Sequence, residues 1–115
     1  MVRRSGAPDD ATVVTLGPST VDLAAHAVHR TDPGEEPRDV RLTPTEWGVL
    51  EVLLRAPGRL VSQRRLLAEV WGPGYRDETN YLRIYLARLR RKLEADPARP
   101  RHLLTEPGMG YRFEP

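Results

Sequence analysis

The sequence contains no cysteine among its 115 residues. Without thiols the chain cannot form a disulfide, supply a thiolate nucleophile or build a cysteine-based zinc finger. The composition therefore excludes disulfide scaffolds, cysteine-dependent catalysis and one class of small metal-stabilised modules.

Long apolar runs are also missing. No stretch of about 18 apolar residues could span a bilayer, and the first ten residues, MVRRSGAPDD, lack the apolar segment of a signal peptide. We therefore expect a cytoplasmic protein with no membrane partner. A chain of 115 residues with 39% apolar content predicts one compact domain with a single core.

Candidate catalytic and metal-binding residues are scarce. The three histidines, His26, His29 and His102, have no paired carboxylates at ligand spacing and no HExxH pattern around them. No glycine-rich loop of the phosphate-binding type occurs either. We interpret the histidines as surface residues and expect no enzyme activity, no catalytic residue, no metal and no cofactor.

Positive charge is concentrated locally. The net charge of +2 is no larger than solubility requires. Residues 32–39 hold four carboxylates and one arginine, whereas residues 82–92 hold no acidic residue and five cations, namely Arg83, Arg88, Arg90, Arg91 and Lys92. The charge therefore directs attention to one segment.

The N-terminal third has two parts. Residues 1–11 are charged and rich in turn-forming residues, without an apolar period, which predicts a linker remnant or disordered end before a domain at 12–115. Short β-prone runs then alternate with the turn signals Gly17-Pro18 and Asp32-Pro33-Gly34. These runs predict an antiparallel sheet of four strands at about residues 12–16, 20–24, 27–31 and 39–42.

Capping signals predict three helices. Thr43-Pro44-Thr45-Glu46 is a capping box with proline at the first helical position, which predicts a helix over about 44–55. Ser62 is the predicted cap of a second helix that ends at Trp71-Gly72. Residues 59–61 are predicted to be extended, but this segment is too short to stand as an element by itself. A glycine- and proline-containing loop at 72–78 then precedes a third helix over 79–93.

The third helix is amphipathic with an unusual polar side. Leu82, Leu86, Leu89 and Leu93 share one face, and the arginines lie across from them. Residues 102–105, a turn at 107–110 and residues 111–113 then predict a β-hairpin, whose tight turn Gly108 and Gly110 permit. The predicted fold is α+β: a winged helix-turn-helix with an N-terminal four-stranded antiparallel sheet, three helices and a C-terminal β-hairpin wing.

An acid-free basic helix face indicates an anionic partner. Solvated helix faces usually mix charge signs, whereas like charges repel one another unless an anion is present. Arginine suits double-stranded DNA, because it can neutralise phosphates and can also grip guanine with two donors. Two alternatives remain open: a merely solvated face, and a winged-helix protein-interaction module without DNA binding, for which mixed or acidic charge on this helix would be expected.

The stretches LTPTEWGVLEVLLRAPGRLVSQRRLLAEVWG and YLRIYLARLRRKLEADPARPRHLLTEPGMGYRF resemble the OmpR/PhoB family of response-regulator effector domains. The second stretch is most similar to members that control potassium-uptake genes. The resemblance implies sequence-specific binding to direct-repeat promoter sites as a head-to-tail homodimer. It also implies an upstream receiver domain phosphorylated by a cognate sensor kinase, for which this chain has no room, so that we expect the isolated effector half.

Matching positions imply roles for particular residues. Arg88 stands where the family places a base-reading arginine, and Arg83 and Arg90 share its exposed side. Asn80, in place of a frequent arginine, can still bond adenine or phosphate. The resemblance assigns to the predicted DNA-binding set Arg88, Arg83, Arg90, Asn80, Arg91, Trp71, Thr105 and Arg112.

The resemblance also implies how Trp71, the wing turn and the loop before the third helix are used. The Trp71 indole N–H is expected to donate to a phosphate, to pack in the core, or to do both. Pro107 stands where several members have an arginine that enters the minor groove, so that minor-groove reading by the wing does not carry over from the resemblance. The loop with Tyr75 and Arg76 corresponds to the loop that faces RNA polymerase in relatives.

Overall fold

The computed structural model describes residues 12–115, so that the predicted linker at 1–11 lies outside the described residues. Ten elements follow one another along the chain: β1 Val13–Leu16, β2 Ser19–Asp22, β3 Ala27–Arg30, β4 Arg38–Val40, α1 Pro44–Leu54, β5 Leu60–Ser62, α2 Gln63–Val70, α3 Thr79–Leu93, β6 Leu103–Glu106 and β7 Gly110–Phe113. Within this part of the chain, no helix has the length and apolarity needed to cross a membrane.

The N-terminal sheet has the predicted four antiparallel strands in the order β1-β2-β3-β4. Gly17 takes a φ of 54° in the turn between the first two strands, a left-handed conformation that favours glycine. Leu16, Val21 and Val28 are buried and join this sheet to the core. The prediction of the sheet is confirmed, with strand ends that differ by one or two residues.

The predicted capping box begins α1. The Thr43 hydroxyl accepts from the Glu46 backbone N–H at 3.2 Å, and the Glu46 carboxylate accepts from the Thr43 N–H at 2.9 Å. Pro44 occupies the first turn, where its missing N–H leaves no bond unmade. The helix contacts α2 and α3 and buries its leucines in the core, and the Trp47 ring stacks on that of His26 at 4.5 Å.

Residues 59–61 contribute more than their sequence predicted. Leu60–Ser62 pairs with β7, which gives a three-stranded wing sheet in the order β5-β7-β6 instead of a simple hairpin. Gly110 is required at this junction, because a Cβ there would lie 2.1 Å from the Val61 carbonyl oxygen. Three residues are too few to show the alternating apolar pattern of a strand. The strand β5 is therefore recognisable only through its pairing with β7.

The third helix spans the predicted residues. Leu82, Leu86, Leu89 and Leu93 are fully buried and form the centre of the core. Ser62 caps α2 as predicted by accepting from the Arg65 N–H at 3.1 Å. The fold is therefore a winged helix-turn-helix in which α3 packs on α1 and α2 and keeps its other side towards solvent.

Candidate nucleic-acid interface

The C-terminal end of α3 is fastened to the N-terminal sheet. The Ser19 hydroxyl donates to the Leu93 carbonyl at 2.8 Å, and the Arg30 guanidinium donates to the Lys92 carbonyl at 2.9 Å. Both carbonyls belong to the last turn of the helix, where no intrahelical donor remains for them. The sheet therefore fixes the orientation of the helix.

The residue after α3 fastens it from the other side. Glu94 is 1% exposed, and its carboxylate accepts from three successive backbone N–H groups, those of Arg101, His102 and Leu103, at 2.7 to 3.0 Å. Hydrogen bonds to a charged acceptor are stronger than neutral ones. These bonds hold the segment that leads into the wing against the C-terminal end of α3.

Lys92 bonds inside the molecule. Its Nζ donates to the Arg41 carbonyl at 2.9 Å and to the buried Glu46 carboxylate at 2.7 Å. Burial raises the pKa of Glu46, but the bonds from Lys92 and Thr43 outweigh it and hold this pKa below its usual value. Lys92 therefore stabilises the fold, although the sequence counts it among the basic residues of the helix.

Arg90 departs from the predicted exposed side. Its Nε donates to the Leu103 carbonyl at 2.9 Å, and its Nη2 donates to the Thr105 hydroxyl at 2.7 Å. Burial lowers the pKa of Arg90, while neighbouring Tyr111 and Glu94 act in the opposite direction. The expectation that Arg90 lies free beside Arg88 is wrong, because the wing strand β6 binds much of its guanidinium.

The outward side of α3 carries the remaining predicted residues. Asn80, Arg83, Arg88 and Arg91 are all exposed. Ile84, which was missing from the predicted site, is 46% exposed between them. Its position opposite the buried leucines was a usable signal of this exposure, and apolar side chains are the kind that contact the thymine methyl group in the major groove.

Aromatic rings flank this side of α3. Trp71 is partly buried and packs against the core, with its ring 5.7 Å from that of Tyr81 and 5.5 Å from that of Tyr85. The Tyr85 ring in turn lies 5.0 Å from the Arg88 guanidinium carbon. Of the two roles expected for Trp71, packing at the edge of the core is therefore present.

A cleft of about 440 Å³ separates the opposite flank of α3 from the wing. Burial raises the pKa of the Tyr111 phenol at its base, although Arg90 and Arg83 oppose this shift. The lining contains two arginines, four other polar side chains and no carboxylate: Gln63, Thr79, Arg83, Arg90, Thr105, Gly108 and Tyr111. Such a lining suits an anion.

The wing itself has little free charge. Arg112 pairs with Glu106 at 3.1 Å and with Glu114 at 2.8 Å, and its Nε is buried without a partner in the described part of the chain. Pro107 is exposed at the turn, and Met109 beside it is 59% exposed. The wing tip thus presents apolar groups.

The remaining predicted residues lie off the outward side of α3, although the Tyr75 ring lies 6.3 Å from that of Tyr81 on this helix. Tyr75 and Arg76 are exposed on the loop at 72–78, where the Arg76 N–H donates to the Glu78 carboxylate at 3.0 Å. His102 is half-buried and bonds the Glu114 carbonyl at 2.8 Å, which corrects its interpretation as a surface histidine. Across residues 12–115, no three potential metal-ligating side chains converge.

Comparison with known proteins shows the family. The model of the family described as "Transcriptional regulatory protein, C terminal" matches residues 35–113. The transcriptional regulatory protein KdpE of Mycobacterium tuberculosis is 58% identical over 102 residues, which cover 89% of this chain and 43% of that protein. The KDP operon regulator KdpE of Escherichia coli is 53% identical over 107 residues, covering 93% and 44%.

Two solved structures share the fold. Response regulator DrrB of Thermotoga maritima, an OmpR/PhoB homologue, is similar with a TM-score of 0.74 and 24% identity, over 90% of this chain and 45% of that one. The RstA DNA-binding domain of Klebsiella pneumoniae, solved with the RstA box, has a TM-score of 0.69 and 23% identity, over 89% and 96%.

The chain spans less than half the length of both KdpE proteins. The matched family segment nevertheless covers more than half of its 115 residues and includes all three helices and the wing. The chain therefore belongs to the family of transcriptional regulatory protein C-terminal domains, the OmpR/PhoB type of winged-helix effector domain.

Proposed function

We propose that residues 12–115 form the sequence-specific DNA-binding effector domain of a two-component response regulator, with α3 lying in the major groove. One observation carries this proposal: the exposed side of α3 presents Arg83, Arg88 and Arg91 with no acidic residue anywhere in the helix. The helix is also fastened at its end to the sheet and the wing, so that this side is held in a fixed orientation.

The exposed residues divide into base and phosphate contacts. Arg88 is the proposed base-reading residue, because a bidentate arginine matches the acceptors of guanine in the major groove. Arg83 borders the cleft beside the wing, where a backbone phosphate would meet its guanidinium and the Thr105 hydroxyl. The remaining proposed contacts are made by Asn80, Arg91, Trp71 and Arg112.

Arg90 and Arg112 are less available to DNA than the other proposed contact residues. Much of each guanidinium is bonded within the protein, Arg90 to the wing strand and Arg112 to two carboxylates. We propose that Arg90 contacts DNA only through its remaining N–H groups and mainly positions the wing. For Arg112 to contact DNA, a phosphate must replace one of its two carboxylate partners.

The biological role follows from the relatives. Both KdpE proteins are transcriptional regulators, and the name of one refers to the KDP operon. We propose that this chain controls potassium-uptake (kdp) genes in the bacterial cytoplasm, without enzymatic activity of its own. A receiver domain and its sensor kinase are the corresponding proposed partners of the whole regulator.

Arg88→Ala tests the base-reading role. We expect this change to weaken binding to the specific site by about 1–3 kcal/mol and to flatten the preference at one base pair. The specific site is obtained by selecting bound sequences from a random DNA pool, and Kd is measured for it and for its single-base variants. Arg83→Ala is the matched comparison: it should weaken all sequences alike and reduce the salt dependence by roughly one phosphate contact.

Two results would refute this proposal. An affinity that does not change between about 50 and 200 mM salt would contradict a phosphate-dominated interface. Absence of any sequence enriched from the random pool, with the protein folded, would favour the protein-interaction module.

The loop at 72–78 is a proposed contact of RNA polymerase. Tyr75 and Arg76 are exposed there and lie off the outward side of α3. We expect Tyr75→Ala and Arg76→Ala, made in the full-length regulator, to reduce transcription from a kdp promoter while leaving DNA affinity unchanged. Unchanged transcription in both variants would remove the proposal.

A further inference from the structure

Tyr85 lies on the flank of α3 one turn before Arg88. Residues three apart on a helix are neighbours on its surface. The Arg88 side chain folds back towards this neighbour, and its guanidinium carbon lies 5.0 Å from the centre of the Tyr85 ring. This distance is within the range of a cation–π interaction.

The Tyr85 ring is itself held in place. The Trp71 ring meets it at 5.5 Å with an interplanar angle of 61°, the edge-to-face arrangement that aromatic pairs favour. Trp71 also contacts Tyr81 at 5.7 Å, and all three rings are partly buried against the core. Arg88 therefore rests on an immobilised surface.

A ring beneath a guanidinium restricts the side chain without consuming its donors. The N–H groups of arginine lie in the guanidinium plane, so that a contact through the face of the group leaves its edge available to base acceptors. An arginine with many accessible rotamers loses conformational entropy when it binds a base. If the side chain is already held in the binding conformation, part of this entropic cost is avoided.

We infer that Tyr85 is a positioning residue for Arg88: its ring, braced by Trp71, holds the guanidinium ready to donate to a base in the major groove. This inference deepens the proposed function and rests on it, because it requires Arg88 to contact a base. Arg91 provides an internal contrast, since it is exposed on the same helix but points about a third of a turn away from Tyr85.

The test separates positioning from packing. The base pair read by Arg88 is defined as the one whose preference is lost in Arg88→Ala. The ratio of Kd values for the preferred and substituted base pair is then measured for the wild type, Tyr85→Phe, Tyr85→Leu, and Tyr85→Leu combined with Arg88→Ala. We expect Tyr85→Leu to reduce this ratio about two- to fivefold, the range of an exposed cation–π contact, and Tyr85→Phe to retain it.

The double variant completes the comparison. If Tyr85 acts through Arg88, the loss of affinity for the specific site caused by Tyr85→Leu should be smaller once Arg88 is alanine than in the wild-type background. A Tyr85→Leu protein that binds all sequences more weakly but keeps the wild-type ratio would overturn the inference, since that is the result of lost packing alone. If Arg88→Ala changes no base preference, the base-reading role itself fails, and the inference fails with it.

A second measurement needs no variant to fold. The Tyr85 ring current should shift the Arg88 side-chain proton resonances upfield in the free wild-type protein, whereas those of Arg91 stay near their usual positions. Equal, unshifted resonances for both arginines would also overturn the inference.

Discussion

The arginines of α3 differ in role because of their neighbours. Arg83, Arg88 and Arg91 are exposed, whereas Arg90 bonds the wing strand through two of its nitrogens. All four have the same chemistry and lie on one basic segment. The sequence could therefore identify the segment, but it could not distinguish Arg90 from the three exposed arginines. The distinction depends on the Leu103 carbonyl and the Thr105 hydroxyl, which the fold brings to this flank.

Glu46 is a second residue whose role is set by a distant partner. Its pKa is lower in the folded protein than its ordinary value of 4.5, since Lys92 and Thr43 stabilise the carboxylate more than burial disfavours it. A lowered folded-state pKa contributes stability that is present above the unfolded pKa and is lost as the pH falls through the folded one.

We therefore expect the wild type to lose more unfolding free energy than Glu46→Gln between pH 7 and about pH 3. At pH 7 the variant should be less stable by roughly 1–3 kcal/mol, because Lys92 loses its charged acceptor. Denaturant unfolding at both pH values measures this. Glu36→Gln, at an exposed position, is the control, and an equal acid sensitivity of the wild type and Glu46→Gln would contradict the prediction.

At the scale of the element, α3 acts as a rigid unit because its surroundings bind its flanks and its C-terminal end. The sheet bonds its last carbonyls, and the wing bonds Arg90. The span of this helix was predictable, since the leucine period and the loop at 72–78 are local signals. The three-residue strand β5 was not, because its pairing with β7 joins segments that are far apart in the chain.

Replacing Arg90 should therefore affect the fold as well as binding. We expect Arg90→Leu to lower the free energy of unfolding by roughly 1–3 kcal/mol, because the Leu103 carbonyl and the Thr105 hydroxyl lose their donor. Denaturant unfolding measures this effect.

Arg91→Leu, one residue further along the same helix, is the matched control. It should change stability by no more than about 0.5 kcal/mol and weaken DNA binding, since Arg91 is exposed. Equal stability losses in the two variants would contradict this division of roles.

Residues 12–115 present one outward helix and one wing, which suits a single half-site. The family resemblance implies that two copies bind direct repeats head to tail, and this arrangement stays a prediction. We expect a nuclease footprint on a kdp promoter to protect two half-sites in the same orientation at saturation. Protection of a single half-site at saturating protein, or of an inverted repeat, would contradict the tandem dimer.

Elements that rest on local chemistry could be predicted from the order of the amino acids. The capping box at Thr43 and the glycine turn of the wing each involve neighbouring residues, and the leucine stripe lies within the single helix α3. Their patterns could therefore be recognised directly. The same holds for the predicted winged-helix fold and family, because the motifs are contiguous.

Which basic residues remain available to a ligand depends on how the elements pack. Lys92 and Arg90 are bound by Glu46 and by the wing, Arg88 rests on Tyr85, and Ile84 is exposed among the arginines. These contacts could not be predicted, because the partners of Lys92 and Arg90 lie more than ten residues away in the chain. Whether a helix flank faces water, a strand or a ring is settled when the elements pack.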